Sequence, residues 1–202
     1  MNVGVLASGE GSNLQAILDR LHGREGIEVV AVGSDKPEAR ALARARAAGV
    51  PAQAFPVGEH AGRRERDLAM AGWLERAGVE LVVLAGYMQL LDPGFLARFP
   101  QRVINVHPAL LPAFRGIGSV EQAIDYGVKV FGVTVHFVDE GVDTGPIIAQ
   151  RAVGLPDATD AHTVRTVLRP FEHELLCEVI VLITRGAVHP DPDNPRRVVV
   201  QR

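Results

Sequence analysis

The stretch VGVLASGEGSNLQAIL, residues 3–18, decides the fold. Val3–Ala7 reads as a short apolar strand and Asn13–Leu21 as a helix, with a glycine-built turn between them. Gly9 and Gly11 permit positive φ and let a ligand approach the backbone closely. The N–H groups that open the helix point into that turn, and the helix dipole adds partial positive charge there. Ser12 and Asn13 contribute side-chain hydrogen bonds, so the loop suits a phosphate. It is not a Walker loop, because no Gly-Lys-Ser/Thr follows. It also departs from the dinucleotide fingerprint, since Leu14 stands at the third glycine position. A plain tight turn with Ser12 as N-cap explains the same residues, and physics alone leaves both readings open.

Outward from this unit, apolar runs alternate with helical stretches. Strands are expected at Val3–Ala7, Val29–Gly33, Ala52–Phe55, Leu81–Ala85, Val103–His107 and Val130–Val138. Helices are expected at Asn13–Leu21, Glu38–Ala48, Arg63–Ala77, Gly94–Phe99, Val120–Tyr126 and Asp160–Thr184. Short buried strands separated by helices make a mostly parallel sheet covered on both faces. The expected class is α/β and Rossmann-like: one domain over residues 1–202, an open sheet with helices on both sides. Ser34 or Asp35 is a candidate cap for the second helix, whose first turn holds Pro37. Asp160 is a candidate cap for the last helix, and Pro170 predicts a kink or break within it. The tail GAVHPDPDNPRRVVVQR reads as a proline-punctuated turn between two short extended pieces.

Composition removes several function classes. The formal charge of −3 gives no polybasic footprint for nucleic acid or an anionic membrane. Cys177 is the only cysteine, which excludes an intramolecular disulfide and a Cys-rich metal site. It reads as a small core residue. The N-terminus lacks the regions of a signal peptide, and no apolar run approaches the roughly 18 residues needed to span a bilayer. A cytoplasmic protein is expected.

A second stretch, VINVHPALLP (103–112), ends a core strand on two polar groups. Asn105 and His107 are two apart and share a strand face. They stand at the strand's carboxyl end, the edge where open α/β sheets bind ligands. Pro108 then turns the chain, and the bond before Pro112 is a candidate for cis. The third stretch, GVTVHFVDEGVDTGPIIAQ, carries His136 and Asp143. A His can carry a proton near neutral pH, and a carboxylate beside it favours the charged ring and orients it. An Asn amide can donate to an oxygen that gains negative charge. His136 alternates with Val133, Val135 and Phe137, so a structural role explains it equally well. Asp143 alone could cap a turn. Two His and a carboxylate could hold iron or zinc, but the spacing follows no metal motif.

VLASGEGSNLQAI, VVLAGYMQLL, NVHPALLPAF, QAIDYGVKVFGVTVHFVDEGVDTGPIIAQ and EHELL follow one another in the order and spacing of one family. The chain resembles the phosphoribosylglycinamide formyltransferases over nearly its full length. The resemblance implies a formyltransferase domain whose N-terminal half binds phosphate and whose C-terminal half binds folate and holds the catalytic groups. It implies transfer of formyl from 10-formyltetrahydrofolate to glycinamide ribonucleotide in purine biosynthesis, without metal, nucleic acid or membrane, and it leaves room for a homodimer. Asn105, His107 and Asp143 match the catalytic trio. Gly11, Ser12 and Asn13 match the phosphate site, Arg169 a further phosphate contact, and Glu172 the acid near the substrate amine. Met88, Gln89, Leu90 and Leu91 match the segment beside the folate, and Asp139, Glu140, Gly141, Val142 and Asp143 the folate loop. Arg63 falls where a folate-contacting Arg is expected, with Arg64 as competitor. Gln89 departs from the Arg that members often carry, and Gly118 stands where many have His. Two rival readings remain: another folate formyl-handling enzyme, such as a 10-formyltetrahydrofolate hydrolase, or a non-catalytic folate- or nucleotide-binding regulator. The first rivals carry additional domains, which are not expected in this chain.

Overall fold

The computed structural model describes residues 1–201. The chain forms two compact units, the first Met1–Asn105 and the second from Val106 onward. The expected α/β class holds, with every strand pairing inside the first unit parallel.

In the first unit, strands β1 (Asn2–Leu6), β2 (Glu28–Ser34), β3 (Ala52–Ala54), β4 (Leu81–Leu84) and β5 (Val103–His107) stand in the order β3-β2-β1-β4-β5. The Leu81–Leu84 strand is buried at all four residues, and Val3, Val5 and Leu6 are fully buried. A strand reads as an unbroken apolar run when both of its faces are covered. Helices α1 (Ser12–Arg20), α2 (Arg40–Ala47), α3 (Arg63–Arg76) and the short α4 (Pro93–Leu96) complete this unit. β5 carries the chain across into the second unit.

The second unit contains α5 (Ser119–Tyr126), an antiparallel pair of β6 (Val130–Phe137) with β7 (Ile147–Gly154), the long α6 (Ala161–Thr184), and a hairpin of β8 (Val188–Asp191) and β9 (Asn194–Val200). α6 packs on both β6 and β7. Cys177 is buried on it, as expected of a small core side chain. Asp160 caps α6, accepting from the N–H groups of His162 and Thr163.

Four expectations need correction. Of the kink or break expected at Pro170, the break does not occur: α6 runs as one helix through this exposed proline. Ser12 is the first residue of α1, not its cap; Gly11 takes that place at φ 72°. Neither Ser34 nor Asp35 caps α2, whose cap position is Ala39. Ser34 Oγ instead accepts from the Lys36 N–H. β7 lay outside the expected strands altogether. Among the described residues no helix is long and apolar enough to cross a membrane.

Candidate active site

Asn105 and His107 end β5 as expected, the first half-buried and the second buried. The Leu111–Pro112 bond is cis. Within the second unit, the turn that follows His107 is pinned by one hydroxyl. Thr134 Oγ1 donates to the Ala109 carbonyl at 2.6 Å and accepts from the Leu111 N–H at 3.1 Å. Gln150 Nε2 reaches the same hydroxyl and the Leu111 carbonyl. Thr134 and His136 lie two apart on β6, so one strand face fixes the turn and supplies the next partner of the site.

Asp143 joins two imidazoles. Its Oδ2 lies 3.3 Å from His107 Nδ1, and its Oδ1 lies 3.5 Å from His136 Nε2. The Gly116 N–H donates to Oδ2 at 2.8 Å. Each ring uses its other nitrogen on a carbonyl: His107 Nε2 donates to Phe114 O at 2.9 Å, and His136 Nδ1 to Phe137 O at 2.7 Å. A carbonyl or carboxylate oxygen can only accept. Each ring therefore turns one nitrogen to a carbonyl and the other to the carboxylate, which sits between the two imidazoles. His136, open between structure and catalysis in the sequence, belongs to this cluster. Its shared face with the polar Thr134 was the available signal.

Burial opposes ionisation of Asp143. The hydrogen bond from His136, the Gly116 N–H and the charge of His107 outweigh it and hold the carboxyl at about 2, against an ordinary 3.8. A lowered folded-state value means that the stabilisation is complete above the unfolded value and fades as pH falls through the folded one. The stability gap between the wild type and Asp143→Asn is thus expected to narrow by ~1 kcal/mol between pH 5 and pH 3. Denaturant unfolding at the two pH values checks this, and a constant gap would contradict the assignment.

The loop before Asp143 is shaped from within. Asp139 Oδ1 accepts from the Gly141 N–H and from Thr144 Oγ1. Asp143 itself has φ 50°. A Cβ on Gly145 would lie 1.8 Å from the Phe137 carbonyl, so only glycine lets the chain leave the loop beside β6. Glu140, Gly141 and Val142 are exposed. Arg169 and Glu172 lie three residues apart on α6, where side chains become neighbours; Arg169 is exposed and Glu172 half-buried. Gly118 holds φ 72° as the cap residue of α5, which gives the glycine there a backbone reason.

In the first unit, the glycine loop is held from outside. Arg44 donates from Nε to the Glu10 carbonyl at 2.9 Å, from Nη2 to the Glu10 carboxylate at 2.7 Å, and from Nη1 to Gln15 at 2.9 Å. A Cβ on Gly11 would meet Ala41 Cα at 2.8 Å. Ser12 is half-buried, while Asn13 is buried. Of the segment 88–91, Met88 and Leu90 are exposed, Gln89 is half-buried, and Leu91 faces the core. Arg63 and Arg64 are both exposed in the first turn of α3. Sequence reasoning missed Arg66, which is 1% exposed beside a fully buried Asp67.

Comparisons with known proteins agree with one another. The family model described as formyl transferase matches residues 1–180. The phosphoribosylglycinamide formyltransferase of Mycobacterium tuberculosis is 45% identical over 183 residues, covering 90% of this chain and 85% of that protein. The enzyme of the same name from Bacillus subtilis is 41% identical over 177 residues, covering 87% and 91%. The crystal structure of glycinamide ribonucleotide transformylase 1 from Symbiobacterium toebii superposes with a TM-score of 0.95 at 43% identity, covering 100% of this chain and 94% of that one.

Proposed function

Because the chain belongs to the formyl transferase family, we propose that Asn105, His107 and Asp143 are the groups with which it moves a formyl unit. The enzyme transfers the formyl group of 10-formyltetrahydrofolate to the amine of glycinamide ribonucleotide, in de novo purine biosynthesis. The observation that carries the residue assignment is the Asp143 carboxylate, ionised and joined to His107 at the end of β5.

The amine nitrogen attacks the formyl carbon, and the carbonyl oxygen becomes an oxyanion. Collapse breaks the bond to folate N10, which takes a proton while the amine loses one. Asn105 is the direct donor to the oxyanion. His107 already uses Nδ1 on Asp143 and Nε2 on Phe114. Without rearrangement it therefore contributes positive charge rather than a new hydrogen bond. Asp143 keeps that ring charged and oriented, and organises a water that relays the proton. Transfer is direct, because no Ser or Cys stands in a nucleophile motif to carry the formyl group.

Gly11, Ser12 and Asn13 are proposed to hold the ribonucleotide phosphate, with Arg169 as a second contact and Glu172 near the amine. Arg63, Met88, Gln89, Leu90 and Leu91 are proposed to border the folate, together with the loop Asp139–Asp143. The exposed apolar pair Met88 and Leu90 supports that role for the segment. The net charge of −3 supports small-molecule partners over nucleic acid or membrane, and the likeness to purine-biosynthesis enzymes supports the cytoplasm as the place of work.

Purified protein mixed with both substrates tests the reading, with deformylated folate as the signal. Release that requires the ribonucleotide supports the transferase. Release without it marks a hydrolase, and no release marks a binder. Gly11→Ala gives a finer check, since it combines a left-handed backbone with a 2.8 Å clash. It is expected to cost about 1–3 kcal/mol of stability and to raise KM for glycinamide ribonucleotide more than KM for folate. Unchanged KM values would remove the loop from the phosphate site.

A further inference from the structure

Outside the catalytic cluster, the first unit buries an ion pair that the reaction does not explain. Arg66 and Asp67 are 1% and 0% exposed. A buried pair of this kind adds little net stability over well-packed apolar residues, so its position asks for another purpose.

The bonds suggest one. Arg66 Nε and Nη2 both reach Asp67 Oδ1 at 2.8 Å. Its remaining nitrogen, Nη1, donates to Gln89 Oε1 at 3.3 Å. Asp67 Oδ2 accepts the Asp92 N–H at 2.7 Å. Gln89 Nε2 donates in turn to Asp35 Oδ2 at 3.1 Å. The pair thus grips one short segment at both ends, by a side chain at 89 and by the backbone at 92. Ser8 Oγ takes the Met88 N–H at 2.8 Å and completes the hold. Gln89 and Leu91 are drawn inward by this arrangement, while Met88 stays 61% and Leu90 49% exposed. Alternation of that kind leaves two apolar side chains facing outward on a backbone that cannot easily shift.

We infer that Arg66 is a positioning residue for the folate: through Gln89, and through Asp67 on Asp92, it sets the backbone of residues 88–92 so that Met88 and Leu90 meet the cofactor. This rests on the assignment of residues 88–91 to the folate site. Arg66 touches no substrate. Its effect reaches the reaction through the geometry of the segment, and it should therefore appear in folate KM and not in the chemical step.

Arg66→Met, Gln89→Leu, the double variant and Leu90→Asp make the test, each read as kcat and both KM values, with thermal unfolding alongside. Arg66→Met and Gln89→Leu are each expected to raise KM for 10-formyltetrahydrofolate by about tenfold, the scale of one hydrogen bond to a charged group. KM for glycinamide ribonucleotide and kcat should change less than about twofold. The double variant should be little worse than either single one, because both break the same link. Should Arg66→Met fail to fold, Arg66→Lys takes its place with the same expectation, since the ammonium keeps a charge beside Asp67 but cannot also hold Gln89. A raised folate KM for Leu90→Asp, with unchanged folate KM for Gln89→Leu and for the folded Arg66 variant, would overturn the role of Arg66 and keep the folate site. An unchanged folate KM for Leu90→Asp would overturn the folate-site assignment itself, and the inference with it.

Discussion

Asp143→Asn is expected to lower kcat by roughly a thousand- to ten-thousandfold, the scale seen when a carboxylate that orients a catalytic imidazole is neutralised. The substitution keeps the size of the side chain and leaves an oxygen to accept the Gly116 N–H, so the loop should keep its shape. What disappears is the charge. His107 Nδ1 and His136 Nε2 then face an amide in place of a carboxylate, and the amide can present an N–H where an acceptor is needed. Some stability goes with the charge, and unfolding measurements separate that part from the loss in turnover. Turnover near the wild-type value would remove Asp143 from the mechanism.

Asn105→Ala is expected to lower kcat by about a hundred- to thousandfold, or roughly 3–4 kcal/mol, the cost of removing one oxyanion donor. The reason is its place on β5. The strand ends there, and His107 two residues later already spends both ring nitrogens on Asp143 and Phe114. The amide is the donor that His107 cannot be without rearrangement. An interaction that matters only in the transition state lowers kcat and kcat/KM together. A variant with higher KM and unchanged kcat would make Asn105 a binding residue instead.

Much of the frame is legible from local pattern. Val103–His107 appears with the same bounds in sequence and structure, because an apolar run followed by His-Pro has few alternatives. β7 was hidden because Ile148 is its only fully covered side chain, and Gln150 and Arg151 break the apolar signal. Pro170 misled because a proline inside a helix is judged by its lost N–H, whereas this one stands where the helix faces solvent.

The site divides in the same manner. Asn105, His107 and Asp143 were readable as motif residues, but the link from Asp143 to His136 is a matter of tertiary placement, as is the Phe114 carbonyl on His107. Arg66 was the least legible. In the run GRRERD every charge looks solvated, and only the packing of α3 turns this one inward. Asp35, one of two candidate caps for α2, instead accepts from Gln89.

The central claim is that the 143 carboxylate works through the 107 ring, and one kinetic comparison addresses it. kcat would be measured for His107→Gln, for Asp143→Asn and for the two combined. Residues that act as a unit show losses that do not multiply. The combined variant is predicted to be about as slow as the slower single one. A combined loss equal to the product of the two single losses would mean that the groups act independently, and would contradict the account.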